Sequence, residues 1–271
     1  MKKLSILFVA LFVGVLAAGA AFAGNLVVNG STTVLPISQS AAEAFMSENK
    51  DVKISVSGGG SGNGIKALID GTCDIANSSR FLKDAEVKLA IEKGIYPVPF
   101  AVAIDAIVPI VHPSNPVTNL TTQQLQEIYT GKITSWKQVG GEDKPIVVVG
   151  RDTSSGTYEV WEEKILKKEK VTPKAQVVAS SGAMLQTVAK NKYAIGYDGL
   201  GYADDKTVKM LSVNGIKADA KTARSGKYPV SRYLFVFTKG WPTGDVLDFV
   251  NFMQSDEGQK IVAKQGFVPL R

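Results

Sequence analysis

The stretch VKISVSGGGSGNGIKALID, residues 52–70, decides how the chain is read. Val52 to Ser57 alternates apolar and polar side chains and reads as a strand, while Ile65, Leu68 and Ile69 share one face at helical spacing. Between them lie the glycines of residues 58–64 with Ser61 and Asn63. A strand that enters a helix through so glycine-rich a turn is an α/β unit. Its backbone N–H groups can approach a nucleotide, a catalytic intermediate or a free anion closely.

The same alternation extends in both directions. Upstream, Leu26 to Asn29 reads as a strand, and Ile37, Ala41, Ala44 and Phe45 fall on one helical face, with Pro36 tolerated in the first turn. Downstream, Asp74 to Asn77 is a short strand and Lys83 to Lys93 a polar helix. This βαβαβ start implies a parallel sheet with its ligand-facing loops at the carboxyl ends of the strands. Pro99 to Val111 is apolar except for Asp105 and is expected to cross between two lobes. The pattern then restarts. A helix spans Thr121 to Tyr129, with Thr121 and Gln124 spaced as a capping box. After it come a strand at Ile146 to Val149, a helix from Gly156, a strand at Gln176 to Val178, a helix at Gly182 to Ala189 and a strand at Ile195 to Tyr197. Tyr228 to Thr238 is the expected second crossing. Two helices follow it, the first with Val246, Phe249, Val250 and Met253 on one face.

The N-terminus carries Lys2 and Lys3, then an apolar run from Leu4 to Val13, then Ala21-Phe22-Ala23. This is the pattern of a secretory signal peptide over residues 1–23, too short and wrongly flanked for a transmembrane anchor. No later segment is long and apolar enough to span a bilayer. The formal charge is +6, and without Lys2 and Lys3 the 31 basic residues fall to 29 against 25 acidic ones, a net +4. Lys164, Lys167, Lys168 and Lys170 form the dense basic run, read as a solvated helix end and not as a nucleic-acid surface. The single cysteine, Cys73, has no internal disulfide partner and is expected to be a buried small residue.

Three turns share one chemistry. Gly30-Ser31-Thr32-Thr33, the stretch from Gly58 to Gly64, and Arg151-Asp152-Thr153-Ser154-Ser155-Gly156-Thr157 each set hydroxyls and glycines where a strand enters a helix. Unpaired N–H groups and the helix dipole favour an anion there. Asn77-Ser78-Ser79-Arg80 repeats the pattern and adds a second guanidinium. A P-loop is excluded because Ile65, not Lys, follows Gly64. The looser dinucleotide form at Gly62 to Ala67 lacks an acid at the end of the next strand, where Asn77 and Ser78 stand. A GxSxG elbow fails because Asn63 occupies its fifth place, and the chain has one histidine, His112, read as a surface-loop residue. One His and one Cys do not make a zinc site. Tyr158 and Trp161 read as packing residues.

The runs GSTTVLPI (30–37), SGGGSGNGI (57–65), CDIANSSR (73–80), NLTTQQLQEIYTGKITSWKQVGG (119–141), GRDTSSGTYEVW (150–161), AIGYDGLGY (194–202) and YPVSRYLFVFT (228–238) closely resemble, in order, the phosphate-binding proteins of bacterial phosphate ABC transporters, the PstS family. The resemblance implies an α/β, two-lobed periplasmic binding protein of type II, a Venus flytrap whose lobes are mixed sheets flanked by helices, with the two crossings as hinge. One lobe would comprise residues 24–104 plus 233–271, the other 105–232. It implies a monomer that closes on inorganic phosphate in the periplasm and presents it to an inner-membrane permease, with no cofactor, metal or nucleic acid. Carried over by motif, the phosphate contacts would be Thr32 and Thr33, Ser61, Ser79, and Arg151, Ser155, Gly156 and Thr157. In long members of the family an aspartate after the third strand accepts the phosphate proton; here Arg80 stands at the matching place and joins the candidate site. Asp105 is the candidate acceptor or arginine partner, with Asp152 and Asp198 behind it. Without a proton acceptor, the same pocket would suit sulfate, molybdate or tungstate. A phosphatase would need a nucleophile with a base or a metal.

Overall fold

The computed structural model describes residues 25–203 and 206–271; the expected signal segment, 1–23, lies outside the described residues. The first lobe opens with β1 (Asn25–Gly30), α1 (Leu35–Glu48), β2 (Lys53–Gly58), α2 (Ser61–Ile69), β3 (Ile75–Ser78) and α3 (Asp84–Glu92). As the sequence predicts, β1 pairs in parallel with both β2 and β3. The long strand β4 (Val98–Val111) leads into the second lobe. There follow β5 (Asn119–Leu120), α4 (Thr122–Thr130), β6 (Val147–Arg151), α5 (Gly156–Trp161), β7 (Gln176–Val178), α6 (Ser181–Ala189), β8 (Ala194–Gly199), β9 (Lys209–Met210), β10 (Ser212–Val213) and α7 (Ala220–Arg224). The return strand β11 (Ser231–Thr238) is followed by α8 (Gly244–Gln254) and α9 (Asp256–Lys264).

Each lobe has its mixed sheet, and the two are continuous through a shared strand, while β5 and β10 pair apart. The joined sheet has the order β2-β1-β3-β11-β4-β8-β6-β7, with β9 also on β4. The joint is β4: up to Ala106 it pairs antiparallel with β11, and from Ile107 onward it pairs antiparallel with β8. A fourteen-residue strand, buried without break from Val102 to Val111, can serve two sheets because it has no solvated face to protect. Its register against β11 shifts at Leu234/Phe235, a bulge at the passage between lobes.

Two apolar cores flank that joint. One packs Leu26, Val28, Ile37, Phe45 and Ile54 against Val236, Phe249 and Phe267. The other surrounds Tyr129, Trp136, Trp161 and Tyr197, where Trp161 stacks on Tyr197 at 4.4 Å between centroids and 7° between planes. Trp161 is thus a packing residue, and Tyr158 turns its hydroxyl to Glu162 at 2.9 Å. Cys73 is buried, which pushes its thiol up to about 11. Past α5 the chain makes a π-helical turn, Glu162–Leu166, and ends with Lys167 and Lys168 in left-handed conformation. The lysine run therefore marks a helix end.

Candidate functional site

The three hydroxyl-rich turns and the turn after β3 meet where the lobes face each other. Thr32 and Thr33 precede α1, Ser61 opens α2, and Ser79 follows β3; across from them stand Arg151 at the end of β6 and Thr157 in the first turn of α5. All six side chains are buried. Ser61 Oγ accepts the Ser79 N–H at 3.0 Å and lies 3.2 Å from Ser79 Oγ. Thr33 Oγ1 lies 2.8 Å from Thr157 Oγ1 in the other lobe. Gly156 is held at this junction by space: a Cβ there would stand 2.4 Å from Ser61 Oγ and 2.8 Å from Ser79 Oγ.

Arg151 donates from Nη2 to Thr32 Oγ1 at 3.1 Å and to the Ala179 carbonyl at 3.3 Å, and from Nη1 to Ser181 Oγ at 3.3 Å. These partners are neutral. Among the described residues Arg151 makes no ion pair, and its buried Nε has no hydrogen-bond partner. A buried guanidinium whose direct partners are all neutral keeps much of its charge unpaired, so the arrangement suits an anion.

The other two arginines here are neutralised. Arg80 places Nη1 and Nη2 at 2.8 and 2.6 Å from the Glu86 oxygens, with Nε 2.7 Å from Glu159 Oε2 in the opposite lobe. Arg232, which sequence reasoning did not single out, pairs with Asp105 through Nε and Nη2 at 2.9 and 2.7 Å. Asp105 is thus partnered by Arg232 and not by Arg80 or Arg151. Its burial pushes its carboxyl up, against the pull of Arg232. The signal for Arg232 was one charge inside the apolar run YPVSRYLFVFT, which needs a partner once the strand is buried.

Asp198 is also wholly buried. Its Oδ1 accepts from Ser181 Oγ and from the Gly199 N–H, both at 2.8 Å, while Oδ2 has no partner. Burial pushes this carboxyl up to about 6, against the attraction of Arg151. Asp198 therefore bears on Arg151 through Ser181, a residue the sequence did not mark. Asp152 serves its own turn, accepting the Ser154 N–H at 2.9 Å and the Ser154 hydroxyl. Ser155 is the N-cap of α5, its Oγ accepting from the Tyr158 N–H at 3.2 Å. His112 bonds Ser114 Oγ at 2.7 Å, within its own turn.

The glycine turn between β2 and α2 admits protein. Gly60, at φ 98°, faces Ser154 of the other lobe: a Cβ there would lie 2.7 Å from the Ser154 carbonyl oxygen, which accepts the Gly62 N–H at 3.0 Å. Further contacts join the lobes at Tyr202, whose hydroxyl donates to the Thr32 carbonyl at 2.6 Å, and at Lys83, whose Nζ is 2.8 Å from Glu159 Oε2. Arg80, Glu159 and Arg232 also line a groove of about 550 Å³ with Phe81, Tyr233 and Phe235. Thr32, Thr33, Ser61, Ser79, Arg151 and Thr157 do not line it, so the hydroxyl cluster and the groove are separate features. Among the described residues no group of three or more His, Cys, Asp or Glu could hold a metal ion, and no helix is long and apolar enough to cross a membrane.

Residues 17–257 match the family model described as a PBP superfamily domain. The chain is 36% identical over 249 residues to the phosphate-binding protein PstS of Bacillus subtilis (strain 168), an alignment covering 91% of this chain and 81% of that relative. Among solved structures, a putative phosphate ABC transporter substrate-binding protein with bound phosphate from Clostridium perfringens superposes with a TM-score of 0.86. Its sequence identity is 37%, and the match covers 92% of this chain and 100% of the other. An ABC-type phosphate transport receptor from Vibrio cholerae gives a TM-score of 0.74 at 32% identity, covering 90% of this chain and 99% of the other.

Proposed function

This chain belongs to the PstS family of phosphate-binding proteins within the PBP superfamily, and from that membership we propose that it binds inorganic phosphate between its lobes and delivers it to an ABC transporter permease. The observation that carries the reading to this particular site is Arg151, a buried cation whose hydrogen-bond partners are all neutral. Thr32, Thr33, Ser61, Ser79 and Thr157 supply hydroxyls around it, and Gly156, lacking a Cβ, lets Ser61 and Ser79 of the facing lobe approach its backbone closely. In so dry a cleft each charge-assisted hydrogen bond gains strength relative to water. Arg80 and Asp105 act here through their ion pairs: Arg80 by tying Glu159 to Glu86 across the lobes, Asp105 by holding Arg232.

The two lobes are taken as residues 24–104 plus 233–271 and residues 105–232, with β4 and β11 as the hinge. The protein works as a monomer in the periplasm, after export by its signal segment, with a permease of the inner membrane as its partner. We read it as a receptor that binds phosphate without turning over an ester, in keeping with the phosphate-binding names of its relatives. The test is isothermal titration of the ligand-stripped protein with phosphate, repeated in excess sulfate. Phosphate binding that survives sulfate supports the reading; equal competition by sulfate makes the site a general oxyanion receptor. Hydrolysis of a chromogenic phosphate ester, with metals added, would overturn the non-enzymatic assignment.

A further inference from the structure

Arg232 touches all three working parts of the molecule. It stands on β11, and its Nε and Nη2 hold Asp105 Oδ2 on β4 at 2.9 and 2.7 Å. From there Nη1 donates to the Ser79 carbonyl of the first lobe at 3.0 Å, and Nη2 to Thr157 Oγ1 of the second at 3.1 Å. The other Asp105 oxygen accepts the Leu200 N–H at 2.9 Å, so this carboxylate is committed at both oxygens.

These contacts decide where hydroxyl protons can go. A hydroxyl carries one proton and two lone pairs. Arg232 fills one lone pair of Thr157, and one hydrogen bond joins Thr157 to Thr33 at 2.8 Å. If Thr33 donates in that bond, Thr157 keeps a proton to give and Thr33 keeps its lone pairs. If Thr157 donates, Thr33 keeps a proton and Thr157 one lone pair. In both arrangements one donor and one acceptor stand side by side.

We propose that Arg232, clamped by Asp105, is a specificity-determining positioning residue that holds the Thr33–Thr157 hydroxyl pair as acceptor of the proton that phosphate keeps at neutral pH and sulfate lacks. The inference rests on the phosphate reading above. A fully deprotonated oxyanion facing that lone pair sets acceptor against acceptor with no proton between them, a contact that a protonated oxyanion turns into a hydrogen bond. Asp198 faces the cluster through Ser181, whose hydroxyl donates to Asp198 Oδ1 and accepts from Arg151, so an Asp198→Asn variant separates its contribution from that of the threonine pair.

The test compares phosphate and sulfate affinities at pH 7 by titration calorimetry for the wild type, Thr157→Val, Thr157→Ser, Asp198→Asn and the double variant Asp105→Asn/Arg232→Met, each checked for folding by circular dichroism. Thr157→Val and the double variant should narrow the phosphate-over-sulfate ratio at least about tenfold, while Thr157→Ser, which keeps the hydroxyl, and Asp198→Asn should hold it. Equal weakening of both anions with an unmoved ratio would leave Arg232 a hinge clamp and overturn the inference, as would loss of the ratio in Asp198→Asn. If the double variant does not fold, the Thr157 pair decides alone. A wild-type chain that binds neither anion overturns the phosphate reading itself, a failure recognisable because no ratio exists to compare.

Discussion

Three buried arginines stand at the junction of the lobes, and what separates them is their partners. Arg80 faces two carboxylates and Arg232 faces one, whereas Arg151 bonds neutral oxygens. Arg151→Ala should therefore weaken phosphate binding by about 3 kcal/mol, roughly a hundredfold. It should leave the melting temperature of the ligand-free protein unchanged or raised, because a buried charge with no direct ion pair has gone. Unchanged affinity in calorimetry would remove Arg151 from the site. Asp198 makes a second residue-scale case. Its carboxyl is raised to about 6 in the fold, so between pH 4 and 6 the native state holds a proton that the unfolded chain has released. Stability from this group therefore rises as pH falls through that window and declines toward pH 7. Thermal melts of wild type and Asp198→Asn across pH 4 to 7 should show the wild type gaining on the variant as acid is added. A constant difference would mean that Asp198 does not titrate there.

At the scale of elements, capping sets the ends that the turns depend on. Thr121 caps α4, with its Oγ1 accepting the Gln124 N–H at 3.0 Å and Gln124 Oε1 accepting the Thr121 N–H at 2.9 Å. Thr121→Ala should cost about 1 kcal/mol of stability in thermal melts without changing phosphate affinity, because α4 contributes to the second core and not to the site. Ser155 caps α5 in the same way, so its side chain serves the helix whose next residues, Gly156 and Thr157, form the site. Gly156→Ala would drive a Cβ into Ser61 and Ser79 of the facing lobe. It should weaken phosphate binding at least about tenfold while sparing ligand-free stability; calorimetry beside a thermal melt checks both halves.

For the whole molecule, the lobes meet through polar contacts, among them Thr33–Thr157, Ser154–Gly62, Tyr202–Thr32, Arg151–Thr32, Arg80–Glu159 and Lys83–Glu159, and through the two strands β4 and β11. Contacts of this kind can be broken and remade as a hinge opens, which a continuous apolar interface would resist. Glu159→Gln, which weakens the cross-lobe tie to Arg80 and Lys83, should lower phosphate affinity by about 1 kcal/mol, roughly fivefold. Phosphate at a hundred times its dissociation constant should stabilise the wild type by about 2.7 kcal/mol, read as a rise in melting temperature. Absence of that rise would contradict binding to the folded state.

Local patterns of residues determined the alternating strands and helices, the hydroxyl-rich turns at helix starts and the two crossing strands, and the resemblance to the PstS family picked Thr32, Thr33, Ser61, Ser79, Arg151 and Thr157 out of those turns. Each of those signals lies within a few residues of chain, where periodicity, capping and turn chemistry act. Pairing across the chain was decided by the tertiary structure alone. Asp105 finds Arg232, 127 positions away, Arg80 finds Glu159 of the other lobe, and Ser181 enters between Arg151 and Asp198. Gly60 serves the approach of Ser154, where the sequence suggested the approach of an anion. Charge and hydroxyl groups are visible in a sequence, but which of them remains uncompensated depends on what burial brings beside it, and only the fold sets that.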